Sequence, residues 1–350
     1  MCAERPLSPR RQRGFSIIEL MVGMVVALIV GIAASSSAIV FTASQRQGMG
    51  VGGVAVNVTT VLAALKNDAA SAGLGFFGEG VYLCDKINIS KGVTVLSDGA
   101  AFVPVRISRV AGLDRLDVIQ ASRVQAGASA RLQMPTTGAD AALVSNLPGN
   151  VGDAVVLSPA APGDPCLLRN ITGITAATSD DPQKLAFAAG GTFNDGGFAT
   201  NPTFSAAGGS VTLLGGVGWS RYRLNGTDLV LDRVLDGGSA VLARNVMAFR
   251  LQYGVSTGVA GSKTLQNWVD ATGAWATVDS TTIARVRAVR IGVVTRSPQR
   301  DKDCTGPTTV ADPLEPANTI AVDVADPQCY RFRSVTVVVP LRNLVLGIKA

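Results

Sequence analysis

Residues 13–22 read Arg13-Gly14-Phe15-Ser16-Ile17-Ile18-Glu19-Leu20-Met21-Val22, and an apolar run continues from there to Phe41. From Phe15 onward the stretch holds one charge, Glu19, and no proline. At about 1.5 Å per residue it makes roughly 40 Å of helix, more than the ~30 Å of a bilayer core. Residues 1–14 are basic, with Arg5, Arg10, Arg11 and Arg13, and have no apolar stretch of their own. Arginines on that side hold the N-terminus in the cytoplasm and send the bulk of the chain across the membrane.

Three readings compete for this segment. A secretory signal peptide, cut near the small residues 33–38, has a shorter apolar core without a carboxylate. A plain signal anchor leaves Glu19 as an unexplained cost of about 2.5–3.5 kcal/mol at membrane depth. The third reading accounts for both the glutamate and the Gly-Phe junction. The run from Arg13 to Val22 resembles the type IV prepilin cleavage and methylation motif: glycine, phenylalanine, then a glutamate fifth in the mature chain. The resemblance implies a cut by a prepilin peptidase between Gly14 and Phe15, followed by methylation of the Phe15 amine. It implies an assembly and register role for Glu19, whose carboxylate pairs with the N-terminal amine of a neighbouring subunit. Each charge is costly alone in a helix bundle and tolerable when paired. Gly23, Ala27, Gly31 and Ser35 recur every four residues, a small-residue stripe that lets another helix approach closely.

Composition narrows the function classes. The 350 residues are 47% hydrophobic and 16% charged, enough for one large domain or two modest ones with a packed core. Thirty-nine glycines and few aromatics favour short strands joined by turns. The net charge is +6, but removing residues 1–14 takes four arginines and one glutamate, leaving 27 basic against 24 acidic residues. No basic block remains, so no nucleic-acid partner is expected. The absence of histidine removes the commonest general base, Ser-His and Cys-His nucleophiles and most zinc sites. The lysines show no SxxK spacing and the glycine pairs no P-loop, so a structural protein is expected and not an enzyme.

Cys2 lies in the leader, which leaves Cys84, Cys166, Cys304 and Cys329. An even, widely spaced set suits disulfides in an oxidising compartment. Four cysteines allow three pairings, and the sequence alone does not choose. Cys304–Cys329 is favoured because it closes a short polar loop, and Cys84–Cys166 then follows by elimination. Asp301, Asp303, Asp312, Glu315, Asp323 and Asp326 surround that loop. Their spacing is not an EF-hand, and interleaved prolines suit a solvated loop. No metal or other cofactor is expected, with calcium in the Asp301–Asp326 loop the weaker alternative. Arg285, Arg287 and Arg290 read as alternating charges on the open face of a strand, not as an anion site.

Further along, Gly48, Gly50, Gly52 and Gly53 are expected to kink or fray the helix. Residues 57–72 return to helical periodicity, with Val58, Val61, Leu62 and Leu65 on one face. Strands are expected at 115–120 and 154–157, with residues 158–210 as loops between short strands. Asn225-Gly226 marks a hairpin over 222–231. Residues 246–253, 285–296 and 332–341, dense in β-branched side chains, are expected to join it in one main antiparallel sheet against the helix.

The order Leu229-Val230-Leu231-Asp232-Arg233, residues 246–254 (VMAFRLQYG), residues 286–294 (VRAVRIGVV) and the closing 331–343 (RFRSVTVVVPLRN) resembles PilW-type minor pilins, relatives of the J-type pseudopilins of type II secretion. Trp268 and Trp275 also sit where that subgroup tends to carry aromatics. The resemblance implies an α+β, type IV pilin-like fold, with a long N-terminal transmembrane helix packed on a head dominated by antiparallel β-sheet. Its parts are a leader (1–14), an assembly helix (15–41), a continuation into the head (42–75) and a β-rich periplasmic or extracellular head (76–350). The implied partners are other minor pilins, the major pilin, the prepilin peptidase and the inner membrane, with final placement in the pilus. A head of about 285 residues suits a rare subunit of a priming or tip complex better than a fibre's repeating unit. A pseudopilin of type II secretion, a tip adhesin or DNA-binding pilin reading through residues 80–215, and an envelope enzyme are the alternatives.

Overall fold

The computed structural model describes residues 16–78, 81–122, 126–161, 163–256, 262, 264–302, 304–320, 322 and 324–346. The chain divides into two compact units, Met1–Gly53 and Val54–Ala350. Helix α1 (Ile17–Ala70) runs through the first and into the second. The expected fraying at the glycine cluster does not occur, because residues 48–53 stay helical. A break there would create two new termini, each with four orphaned backbone groups, which outweighs about 1 kcal/mol of weaker propensity per glycine.

Within the second unit, α1 turns Val58, Val61, Leu62, Leu65 and Ala69 into the core, Leu65 and Ala69 with no exposure at all. The helix ends in a turn over residues 71–75 that carries Gly73 at φ +74° and Gly75 at φ +82°. A Cβ on Gly75 would meet Ala121 Cβ at 2.7 Å, so the close approach and the left-handed backbone both demand glycine.

The strands follow in order. β1 (Phe77–Gly78) and β2 (Val81–Tyr82) form a short pair. β3 (Lys86–Lys91), β4 (Thr94–Ala101), β5 (Val105–Val110), β6 (Leu113–Ala121), β7 (Ser129–Arg131) and β8 (Asp140–Leu143) come next. After them come β9 (Ala154–Ser158), β10 (Pro165–Asn170), β11 (Gly173–Thr175), β12 (Gln183–Ala186) and β13 (Ser210–Gly215). The last stretch holds β14 (Val217–Asn225), β15 (Asp228–Arg233), β16 (Gly238–Ala243), β17 (Val246–Val255) and β18 (Asn267–Asp270). A short helix α2 (Ser280–Ile283) leads into β19 (Val286–Arg296), β20 (Val310–Ala311), β21 (Thr319–Ile320), β22 (Phe332–Pro340) and α3 (Arg342–Leu346).

Three larger sheets result, ordered β4-β3-β10-β9-β13-β7, β16-β15-β14-β6-β5 and β18-β17-β19-β22, with a smaller β11-β12-β8 sheet beside them. Pairing is antiparallel except between β3 and β10. The α+β reading and the antiparallel head therefore hold. The single main sheet does not: the hairpin belongs with β5, β6 and β16, whereas β17, β19 and β22 form another sheet. Both sheets share one core with the end of α1, in which Leu65, Ile107, Leu116, Tyr222, Phe249 and Ile291 meet. Residues 158–210 hold short strands between loops, as expected, and one of these strands is deeply buried. β10 is buried along its whole length, and Leu167, Leu185, Phe187 and Phe198 enter a second core with β9 and β13.

The hairpin turn sits one residue later than Asn-Gly suggests. Asn225 pairs with Asp228, so Gly226 (φ +60°) and Thr227 make the two-residue loop, glycine taking its first position. Two side chains tie the sheets that share α1. The Asp114 carboxylate of β6 accepts the Leu251 N–H of β17 at 2.9 Å. The Tyr253 hydroxyl of β17 accepts the Ile107 N–H of β5. Disulfides join Cys84 to Cys166 and Cys304 to Cys329, at sequence separations of 82 and 25. Loops of those lengths correspond to roughly 4–5 and 3–4 kcal/mol on the chain-entropy model.

Asp279 caps α2. Its carboxylate accepts the backbone N–H of Thr281 (3.0 Å) and Thr282 (2.8 Å), and the Thr282 hydroxyl accepts the Asp279 N–H at 2.8 Å. The Thr282 hydroxyl and then these amides hold the Asp279 carboxyl down at about 2. Because the folded value lies below the ordinary one near 3.9, the cap contributes fully above about pH 4 and is lost as pH falls towards 2. Asp279→Ala is expected to lower stability by about 1 kcal/mol at pH 7 and to melt like wild type at pH 2. Denaturant titrations at the two pH values check it.

Candidate assembly site

Leu20 N–H donates to Ser16 O at 3.1 Å, the first bond of the helix. Ser16 is therefore the N-cap, a position the sequence reading passed over, and Glu19 stands third in the helix. A carboxylate there faces the unsatisfied N–H groups and positive end of the helix dipole. Every residue from Ser16 to Ala38 is exposed, and apolar side chains lie on all sides of the helix. Ile17–Ala38 is long and apolar enough to cross a membrane. An all-round apolar surface of this kind needs lipid or other helices against it.

The three serine hydroxyls near the end of the segment bond locally. Ser35 Oγ donates to Gly31 O at 2.8 Å, and Ser36 and Ser37 each donate to Ala33 O at 2.9 Å. Such bonds keep hydroxyls paired where no water is present. Gly23 and Gly31 have open space where a Cβ would stand. With Ala27 and Ser35 they form one inclined row along the helix, and Glu19, four residues before Gly23, heads it. Gly14 and Phe15, the sites expected for cleavage and methylation, lie outside the described residues.

In the head, Arg285, Arg287 and Arg290 are structural. Arg287 is buried and donates to the carbonyls of Ser262 (2.7 Å), Ala284 (2.8 Å) and Val286 (3.0 Å), which corrects the open-face reading for that residue. Arg285 stacks on Trp275 at 5.4 Å and Arg290 on Trp268 at 4.8 Å. Among the described residues, the acidic side chains of the 301–326 stretch do not converge; Asp303 and Asp323 lie outside those residues. Asp301 meets Arg331 at 2.9 Å, Asp326 meets Arg300 at 2.5 Å, and Asp312 accepts the Leu314 and Glu315 N–H groups. Among the described residues, no three acidic or cysteine side chains group as metal ligands do. A cavity of about 370 Å³ lies beside Asp68, Tyr222 and Arg233. Burial, reinforced by the Asp68 carboxylate that accepts the Tyr222 hydroxyl at 2.6 Å, pushes the phenol above its usual range and fixes it as a donor.

Residues 9–35 match the prokaryotic N-terminal methylation motif, and residues 233–343 match the type IV pilus-assembly protein W family. In these two segments the chain is similar to type IV minor pilins. The first spans the segment headed by Glu19, and the second begins in β15 and carries β17, β19 and β22 with both arginine–tryptophan stacks. No curated protein matches this chain. A solved type IV-like pilin from Thermus thermophilus is similar over 83% of this chain and 97% of its own, at 9% identity and a TM-score of 0.33. That likeness is too loose to bear on fold or function. Residues 36–232 of this chain, with β1 to β14, lie outside both matches.

Proposed function

We propose that this pilin is a non-enzymatic subunit of the priming or tip complex of a type IV pilus. A prepilin peptidase cuts it between Gly14 and Phe15, and the Phe15 amine is methylated. The helix stores the subunit in the inner membrane with the head in the periplasm, and the subunit then enters the pilus beside other minor pilins and the major pilin. The observation that carries this reading is an apolar helical segment, exposed from Ser16 to Ala38, with one carboxylate heading a row of small residues. Lipid covers the apolar surface in storage, but only a neighbouring amine offsets Glu19 once water and headgroups are left behind. Close approach along Gly23, Ala27 and Gly31 then brings neighbouring helices within packing distance.

Intact mass and N-terminal sequencing of the protein from its own membranes and from sheared pili test this. The expected chain starts at N-methylated Phe15 and is present in both fractions at low copy number. An N-terminus between Ser35 and Ile39, or an uncut leader, refutes the pilin route.

A further inference from the structure

β22 forms one edge of the β18-β17-β19-β22 sheet, and its register against β19 runs unshifted from Arg296↔Phe332 to Ala288↔Pro340. Leu341 N–H donates to Arg287 O (2.9 Å) and Ser297 N–H to Arg331 O (2.8 Å) at the two ends of this ladder. Those bonds set the parity: odd-numbered residues of β22 bond β19, and even-numbered ones point their backbone away. The N–H and C=O groups of Ser334, Thr336 and Val338 therefore face outward. Among the described residues, no backbone group takes them up. Pro340, lacking an N–H, closes the row.

The other edges are protected in ways that β22 is not. β4 has register shifts and carries Asp98 beside Gly99 at φ +60°. β16 is six residues long and shifted in register, β5 is six residues long with Arg106 and Arg109, and β7 and β18 have three and four residues. Shortness, bulges and charges are the usual defences of an open edge. β22 has nine residues, no shift, and no charge between Arg333 and Arg342. Val335 and Val337 pack on the core, while Val338 is 46% exposed.

An edge of this length offers main-chain bonds to an added strand, with alternate side chains setting the choice. Charge narrows the partner. Arg333 and Arg342 are exposed at opposite ends of the strand, and neither forms an ion pair among the described residues. A second copy laid antiparallel would gather the arginines of both copies at each end of the pair, a like-charge arrangement that opposes it. We infer that β22 is the docking edge for an extended segment of a different pilin subunit, apolar in its middle and acidic at its ends. The inference rests on the reading of this chain as an assembling pilin.

The test replaces Val338 with a photo-crosslinking amino acid in the full chain, in its own membranes and in sheared pili, and sequences the joined peptides. The expected product links position 338 to another pilin-type subunit, in a segment with Asp or Glu at its ends. Thr336→Pro removes an outward N–H, together with the hydroxyl bond to Pro313 O, while leaving the bonds to β19, and is expected to lower the yield about tenfold; Thr336→Val, which loses only the hydroxyl bond, is expected to leave it unchanged. The double variant Arg333→Glu, Arg342→Glu is expected to lower it similarly. Formation of the Cys304–Cys329 bridge, read by mass, reports that each variant has folded. A product joined to a second copy of this chain, a yield unchanged in Thr336→Pro and in the double variant, or no product at all overturns the docking edge. The N-terminal mass of the same samples reads the pilin assignment separately: a chain that starts at Phe15 and enters pili without the crosslink refutes only the docking edge.

Discussion

Glu19→Ala is expected to leave leader cleavage and membrane insertion intact and to remove at least nine-tenths of the protein from sheared pili. The two effects part because the substitution acts oppositely on two states. In the lipid-stored state, losing the carboxylate relieves an insertion cost of about 2.5–3.5 kcal/mol. In the assembled state it strands the neighbour's amine in a helix bundle without its counter-charge, and removing one partner of a buried pair costs about 3–5 kcal/mol. Glu19→Gln separates charge from shape, since it keeps the size and the N3 position while abolishing the pair. It should fail in pili as fully as alanine. Recovery of either variant in pili at the wild-type level would remove Glu19 from the assembly mechanism.

Asp114→Ala is expected to destabilise the head by about 2–4 kcal/mol, lowering its melting temperature by roughly 5–10 °C. Asp114 is only 3% exposed. It accepts Arg109 Nε at 2.8 Å as well as the Leu251 N–H, and Arg250 lies 3.6 Å away. The substitution leaves a buried amide at the unpaired side of β17 and two arginines without their carboxylate. Both arginine side chains keep more than a quarter of their surface in water, 28% and 27%, which softens the loss below that of a fully buried pair. Asp114→Asn retains one acceptor for the Leu251 N–H and should lose about half as much. Denaturation of the detergent-solubilised full chain measures both. A change in Asp114→Ala below about 0.5 kcal/mol would mean that the two sheets hold together without this tie.

The N-terminal half of α1 was legible because its signal is one-dimensional: an apolar run, one charge at a fixed offset and a basic leader. β17, β19 and β22 were legible for a similar reason, since their β-branched residues form long continuous runs. The partners of the hairpin were not. β14 pairs with β6, some hundred residues earlier, and nothing local to Tyr222 encodes that. β10 was hidden by its own ends, with Pro165 opening it and glycine-rich turns around it. Within it, Arg169 reaches the carbonyls of Gly138, Phe193 and Asn194, from two segments distant in sequence. Asp114 and Tyr253 looked like ordinary strand residues for the same reason: each acts across sheets, on partners 137 and 146 residues away. The arginines near β19 misled because alternation along a strand reports facing, not what lies over the face.

The two disulfides join cysteines that are neighbours in chain order, Cys84 to Cys166 and Cys304 to Cys329. A chain exported N-terminal end first, as the proposed orientation requires, delivers each native pair complete before the next thiol arrives. A periplasmic oxidase joining thiols in order of emergence therefore makes the native bridges directly, with no mispaired form for an isomerase to repair. Under that orientation the first loop is complete before β17, β19 and β22 follow it out, so the proposed route matures the head in step with its delivery and needs no slow reshuffling.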